Sequence, residues 1–365
     1  MSRRRVTTKD IAEASGFSRG TVDRALNNRG QIKEETRKLI LNKAQELGYE
    51  PNRLARTLAS QPHFEIVAVF PSEPPSFFDE IQEGMKVAEE EYKDFGVRLS
   101  YYRTITHDVP KQVEYLHRIL DPMVEDQPSG ILMAPAHSFL LDPLIARAAA
   151  EGIPVITFNT DAPMSKRLFY VGQNSVVAGR VAADLLGRFV GGSGQIVMLT
   201  GFSEVLPLRE RLDGFRNQIK EYFPAISLIG PYEYLDNESI AYKMAKKLIH
   251  DIPELKGMYI TSGIGLKGVA KAAKETDHRH RAKIVGFDLD DEVRQMLKDD
   301  VVQATICQEP FDQGYFAVKL MFRYLTEGFA PDSQELYTQS SIILRGNATE
   351  SMGERSRHHL GRAIF

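Results

Sequence analysis

Cys307 is the only cysteine of the chain. That excludes an intramolecular disulfide framework and a zinc site built on thiolates, and it suits a reducing cytosol. Long apolar runs are missing too, since no window approaches the roughly 20 apolar residues of a membrane-spanning helix. The basic start MSRRRVTTKD lacks the apolar stretch that a secretory signal carries behind its charges. These absences predict a cytoplasmic protein without membrane contact. Two catalytic signatures are absent as well, the G-x-x-x-x-G-K-[ST] phosphate loop and the G-x-S-x-G nucleophile elbow. Gly191-Gly192-Ser193-Gly194 precedes an apolar run instead of following one, so it reads as a turn and not as a phosphate cradle. Asp277-His278-Arg279-His280-Arg281 sits among arginines that would repel a cation, and reads as a solvated loop rather than a metal site. An enzyme on an α/β scaffold is therefore disfavoured, and no cofactor or metal is expected.

What is present is distributed unevenly. The chain has 365 residues, 42% hydrophobic and 26% charged, too long for one compact core and suited to two or three domains. Residues 1–60 hold 13 Lys and Arg against 7 Asp and Glu, a balance of +6, so the remainder carries −9 of the total −3. Clustered cations on an acidic body fit a nucleic-acid-binding module fused to something else. A solvated charged face would give the same count.

Residues 6–48 read as three short helices. The first opens at Thr7, with Asp10 three residues on as in a capping box. Gly16 supplies a tight turn, and Ser18 can cap a second helix that runs toward Asn27. The third, from about Lys33 to Leu47, sets Thr36, Leu39, Ile40, Lys43, Ala44 and Leu47 at helical spacing. Arg53 to Ala59 is helical in propensity but only about two turns long, marginal by itself. From Glu65 the texture changes. EIVAVF, VRLSYY, GILMAP, IPVITF, GQIVMLT, GMYITS, KIVGFD and VQATICQ are short apolar runs separated by helix-length amphipathic segments, the pattern of parallel sheets covered by helices. About ten such alternations, with a second series starting near Gln195, point to two sheets rather than one. The last twenty residues show no periodicity and no leucine heptads.

A small-residue turn followed by a polar, basic helix start is what a helix-turn-helix needs to enter the major groove. Ser18, Arg19, Gly20, Thr21, Asp23 and Arg24 meet that need, against the plainer alternative of a small structural bundle. Arg19 is the best base-reading candidate, because a guanidinium can take guanine O6 and N7 together. Arg24, Asn27 and Arg29 suit phosphates.

The stretch from Val6 to Ser60 resembles the head and hinge of the lactose-repressor-type (LacI/GalR) family, through KDIA, GFSRGTV, RALN, EETR and LGYEPN in order. The resemblance implies that Ser18, Arg19, Gly20 and Thr21 face the groove, that Arg24 and Asn27 contact the backbone, and that Thr7 and Tyr49 add phosphate contacts. Leu58 would be the hinge leucine that wedges between base pairs from the minor groove, with Asn52, Arg53 and Ala55 beside it on the DNA. Two departures matter. Gly20 leaves a usual base-reading position without a side chain. Asp23 stands where the family commonly has serine, and would pair with Arg19 or an adjacent arginine, or accept from a cytosine amine.

Polar groups recur where apolar runs end: Phe77 and Phe78 beside Asp79, then Asn159, Thr160 and Asp161, then Asn174, Arg209, Ser262, Asp288 and Gln308. Each alone is as well explained as a helix cap or turn former. As a set they fit a sugar held between two lobes, stacked on aromatics and gripped by planar polar groups. Residues 64–345 resemble the periplasmic sugar-binding proteins, in particular the ribose-binding branch, through IPVITF, RERLDGF, IVGFD and ATICQ. That likeness implies ligand roles for Phe77, Phe78, Asn159, Asn174, Arg209, Asp288 and Gln308. Thr160 stands where ribose binders have arginine, and Ser262-Gly263 where they have Asn-Asp, so ribose itself is not expected. Arg209 and Asp288 would grip vicinal hydroxyls, which puts a monosaccharide, polyol or cyclitol ahead of a purine or an apolar effector.

The fold expected is thus α/β, with an all-α helix-turn-helix head over 1–51, a hinge helix and linker over 52–63, a two-lobed body over 64–345 and a flexible tail over 346–365. Lobe 1 would take about 64–172 and 309–337, and lobe 2 about 173–308 and 338–345. The resemblance implies a homodimeric repressor on a near-palindromic operator, with its hinges folding on DNA and a sugar or polyol as allosteric effector. A secreted solute-binding protein would share the body but has no use for residues 1–60.

Overall fold

The computed structural model describes residues 6–27, 30, 32–49, 63–123, 127–276 and 282–348. The chain divides into two compact units after Gln61. The hinge candidates Asn52, Arg53, Ala55 and Leu58, together with Arg29, the side chain of Asn27 and the cluster at 277–281, lie outside the described residues.

The head is built from α1 (Thr8–Ser15), α2 (Arg19–Asn27) and α3 (Glu34–Glu46). Thr7 and Asp10 make a full capping box: the Asp10 amide donates to Thr7 Oγ1 at 3.4 Å and the Thr7 amide to Asp10 Oδ2 at 2.7 Å. Gly16, at φ 73°, closes α1 in the left-handed region, where a side chain would be penalised. The Thr21 amide then donates to Ser18 Oγ at 3.2 Å and starts α2. Ile11, Val22, Ala25, Ile40 and Ala44 form the core, with Phe17, Leu26 and Tyr49 packed around it. Burial of Ile11, Val22 and Ile40 contributes about 1.5–3 kcal/mol each, which holds together helices too short to persist alone. On α3 the buried stripe is Ile40 and Ala44, whereas Leu39 is 60% exposed. One position off the stripe is a rotation of about 100°, which turns Leu39 to the surface.

The body contains two six-stranded sheets. In spatial order the first is β11 (Glu335–Tyr337), β5 (Phe169–Gly172), β4 (Val155–Phe158), β3 (Gly130–Met133), β1 (Phe64–Pro71) and β2 (Val97–Thr104). The second is β12 (Ser341–Ile343), β10 (Ala304–Cys307), β9 (Lys283–Phe287), β8 (Leu255–Ile260), β6 (Ser193–Thr200) and β7 (Ala225–Glu233). All neighbours are parallel except β10 and β12. The central strands β3, β4, β5 and β10 are buried along their whole length, as strands covered on both faces must be. Side chains alternate between those faces: Ile66, Ala68 and Phe70 enter one core cluster of lobe 1, Val67 and Val69 the other.

Helices α4 (Pro75–Tyr92), α5 (Val109–Ile119), α6 (Asp142–Ala150) and α12 (Pro310–Glu327) belong with the first sheet. The second carries α7 (Ser175–Phe189), α8 (Leu206–Tyr222), α9 (Glu238–Asp251), α10 (Gly263–Glu275) and α11 (Asp291–Lys298). The chain crosses between lobes three times, from β5 to α7, from β10 to α12 and from β11 to β12. The glycine cluster at 191–194 is the turn from α7 into β6, with Gly191, Gly192 and Gly194 all at positive φ. Folded chain extends past the expected start of the tail, because Ala348 is fully buried in a lobe 2 core cluster. Among the described residues no helix is long and apolar enough to cross a membrane.

Candidate functional site

Parallel sheets point the C-terminal ends of their strands the same way, and here the two sheets turn those ends toward one another around a cavity. Its free volume is about 120 Å³. That is room for about ten water-sized groups, which suits a small polar molecule. Phe77, Phe78, Asn159 and Thr160 line it from lobe 1. Ser262 and Asp288 line it from lobe 2, and Gln308 from the second crossover. Seven of the nine ligand residues expected from sequence are thereby brought together.

Four of the lining residues hold a left-handed backbone: His107 at φ 63°, Asn159 at 59°, Asp236 at 46° and Asp288 at 66°. A non-glycine residue there costs on the order of 1–3 kcal/mol and persists only where its surroundings impose it. For Asp288 they do. Its amide donates to Ile306 O at 3.0 Å, and its carboxylate accepts from Gln308 Nε2 at 2.7 Å and from the Gly263 amide at 3.2 Å. Burial raises the Asp288 carboxyl above the ordinary carboxylate range, opposed by the Arg211 guanidinium and by those two donors.

The arginine facing Asp288 is Arg211 and not Arg209. Arg209 is exposed and does not line the cavity. On α8, Arg211 follows Leu208 by three positions and Pro207 by four, so these three share the face turned to the cavity. Arg211 is 2% exposed. It donates from Nη1 to Thr261 O at 2.8 Å and from Nη2 to Gln173 Oε1 at 2.9 Å, with its guanidinium 4.0 Å from the centre of the Phe287 ring. Its Nε is buried without a hydrogen-bond partner. Burial pulls the guanidinium below its ordinary value, with Asp288 the largest opposing influence. The backbone of Arg211 is fixed by α7: a Cβ on Gly179 would come within 2.1 Å of Arg211 O, and one on Gly214 within 2.1 Å of Val176 O. The two glycines let the helices touch.

Asn174 is also outside the cavity. Its Oδ1 accepts from the Val177 amide at 3.0 Å, capping α7, and it lines a separate recess beside Tyr170 and Glu210. Ser262 lines the cavity, but its hydroxyl is engaged by Tyr234 OH at 2.6 Å. Sequence reasoning missed His107, Asp236 and Gln173. His107 Nε2 lies 2.8 Å from Asp236 Oδ2, and Gln173 is buried where the chain first crosses between lobes.

In the head, Ser18, Arg19 and Gly20 are exposed at the start of α2, as are Asp23 and Arg24. Ser18 Oγ lies 2.9 Å from Thr21 Oγ1, and Arg24 Nε donates to Gly20 O at 3.2 Å. A Cβ built on Gly20 meets nothing within 4 Å, so head packing does not demand glycine there. The Thr7 hydroxyl is held by Asp10 at 2.6 Å, and Tyr49 is half-buried against the head core.

Comparison with known proteins agrees with both units. Residues 66–328 match the periplasmic binding protein domain, and residues 7–52 match the bacterial regulatory proteins of the lacI family. The chain is similar to a ribose operon repressor of Halalkalibacterium halodurans, 23% identical over 362 residues that span 96% of this chain and 99% of the relative. It is also similar to a ribose operon repressor of Bacillus subtilis, 25% identical over 86% of this chain and 90% of the relative. Among solved structures, a glucose-galactose binding protein from Geobacillus stearothermophilus shares the fold at TM-score 0.72 and 24% identity, covering 79% of this chain and 100% of that one. The chain therefore belongs to the periplasmic binding protein domain family and carries at its N-terminus the helix-turn-helix head of the lacI family of bacterial regulatory proteins.

Proposed function

We propose that the protein is a cytoplasmic transcriptional repressor, not an enzyme, whose operator affinity is set by a small sugar or polyol held between its lobes. One observation carries the effector half of this reading: Arg211, Asp288 and Gln308 converge on a cavity whose opposite wall includes Phe77 and Phe78. A planar guanidinium and a carboxylate take adjacent hydroxyls in pairs, while aromatic faces accept the C–H face of a sugar ring. Two relatives named ribose operon repressors support a sugar operon as the target. Thr160 and Ser262 line the cavity where ribose binders have other groups, which favours a different pentose, a hexose or a polyol.

On DNA, the exposed start of α2 would read the major groove through Ser18, Arg19 and Thr21, with Arg24 on phosphate. A homodimer would present two heads to a near-palindromic site, and residues 52–63 would act as hinges with Leu58 as wedge. Closure of the lobes changes the separation of the two Phe64 chain starts in such a dimer, and so biases the geometry of the heads.

The experiment is a thermal-shift screen of the full chain against pentoses, hexoses and polyols, followed by fluorescence anisotropy on duplexes from upstream of its own gene. One sugar should raise the melting temperature, and that sugar should change the affinity for one upstream duplex over random DNA. No preference for any upstream duplex, with or without sugars, contradicts the proposal.

A further inference from the structure

The two sheets are ordered so that their joined ends and their free ends lie on opposite sides of the body. The crossovers leave from β5, β10 and β11, at or next to the edges formed by β11 and β12. The opposite edges are β2 and β7. His107 lies in the loop that follows β2, and Asp236 in the loop that follows β7. They meet across the cleft at 2.8 Å, far from the crossovers and 129 residues apart in sequence. A carboxylate only accepts, so His107 Nε2–H is the donor.

Both loops are shaped for this meeting. His107 and Asp236 each hold a left-handed backbone, at φ 63° and 46°. Thr106 Oγ1 donates to Glu73 O at 2.8 Å, anchoring the first loop. Gly201 makes room for the second, because a Cβ there would stand 2.0 Å from Asp236 Oδ1. The His107 ring also packs edge-on against Phe202 of lobe 2, with centroids 4.4 Å apart. The side chains of His107 and Asp236 are 27% and 14% exposed, so water competes only partly for their hydrogen bond.

We propose that His107 and Asp236 form an interlobe latch that holds the cleft closed from the edge opposite the crossovers. Five strand spacings of about 4.8 Å give a lever arm of about 24 Å. A rotation of about 10° on that arm separates the pair by about 4 Å, enough to break the bond while the crossovers barely move. The latch is therefore the contact most sensitive to lobe opening, and both its residues also line the cavity, where a ligand hydroxyl can reinforce or displace them. The inference rests on the two lobes moving as bodies and not on the identity of the effector, so it can fail while the proposed function stands.

The test is an interlobe distance distribution by pulsed electron paramagnetic resonance on the full chain without added sugar. Spin labels go on Arg118→Cys in α5 and Lys247→Cys in α9, both exposed, while Cys307 is buried and escapes labelling. His107→Ala and Asp236→Ala should each raise the population at longer distance on the order of tenfold, the effect of losing one charge-assisted hydrogen bond. Adding Asp236→Ala to His107→Ala should open the lobes no further. The gentler pair His107→Gln and Asp236→Asn should move the same way and carries the test if the alanine variants do not fold. An unchanged distribution in the folded variants, or further opening in the double variant, overturns the latch.

Discussion

Arg211 donates from Nη2 to Gln173 Oε1 at 2.9 Å, and Gln173 donates in turn from Nε2 to Ser340 Oγ at 3.1 Å and to Cys307 O at 3.4 Å. Gln173 stands in the first crossover, Cys307 at the start of the second and Ser340 in the third. The guanidinium that faces the cavity is thus one side chain away from every connection between the lobes.

Arg211→Ala leaves the buried acceptors Thr261 O and Gln173 Oε1 without their donor, at a cost of about 1–3 kcal/mol each. Denaturant unfolding should register that loss, and sugar should no longer raise the melting temperature. Arg209→Ala, at an exposed position, should change stability by less than about 0.5 kcal/mol and keep the sugar response. Loss of the sugar response in Arg209→Ala alone would reverse the assignment.

Gln173→Met keeps the volume and removes the link. Arg211 Nη2 loses its acceptor, and Ser340 Oγ and Cys307 O lose their donor, at about 1–3 kcal/mol of stability for each buried group left unpaired. Sugar should still bind, since Arg211, Asp288 and Gln308 remain, while the factor by which it changes DNA affinity should shrink toward one. Anisotropy titrations with and without saturating sugar read that factor. An unchanged factor would mean that the coupling bypasses Gln173.

Asp312, in the first turn of α12, has its carboxyl pushed up from 3.8 to about 7, by burial first and by Glu309 second. A carboxyl raised in the folded state contributes stability that is complete below its unfolded value and is lost as pH rises through its folded one. The window is therefore about pH 4 to 7. Asp312→Asn should be more stable than the parent at pH 8, by up to about 4 kcal/mol, with the advantage gone near pH 4. Urea unfolding at the two pH values checks it. Equal advantage at both would remove the titration of Asp312 from the explanation.

Gly20 is helical, exposed and has open space where a Cβ would stand. Gly20→Ala should stabilise the head by about 0.5–1 kcal/mol, seen as reduced fraying in hydrogen exchange of α2. Because the position faces the groove in the proposed docking, the same change should alter duplex preference. Greater stability with unchanged preference would take Gly20 off the interface.

The strands buried on both faces were legible as apolar runs, and the cavity inherited that legibility because its polar residues sit at their ends. Edge strand β7, AISLIGPYE, was not legible, since exposed residues interrupt its apolar ones. Strands β11 and β12 are three residues each, too short to carry a pattern. Choosing between Arg209 and Arg211 needs the phase of α8, which is fixed by Leu212, Phe215 and Ile219 packing in a lobe 2 core cluster. His107 and Asp236 could not be found from local sequence, because their meaning lies in two loops 129 residues apart that meet only when the lobes do.

If cleft and head share one free energy, occupancy of either must change the affinity of the other by the same factor. The measurement is the affinity of the full chain for its preferred upstream duplex with and without saturating sugar, paired with the affinity for that sugar with and without the duplex. The same factor, different from one, is expected in both directions. A sugar that binds tightly in the cleft and leaves DNA affinity unchanged would contradict it.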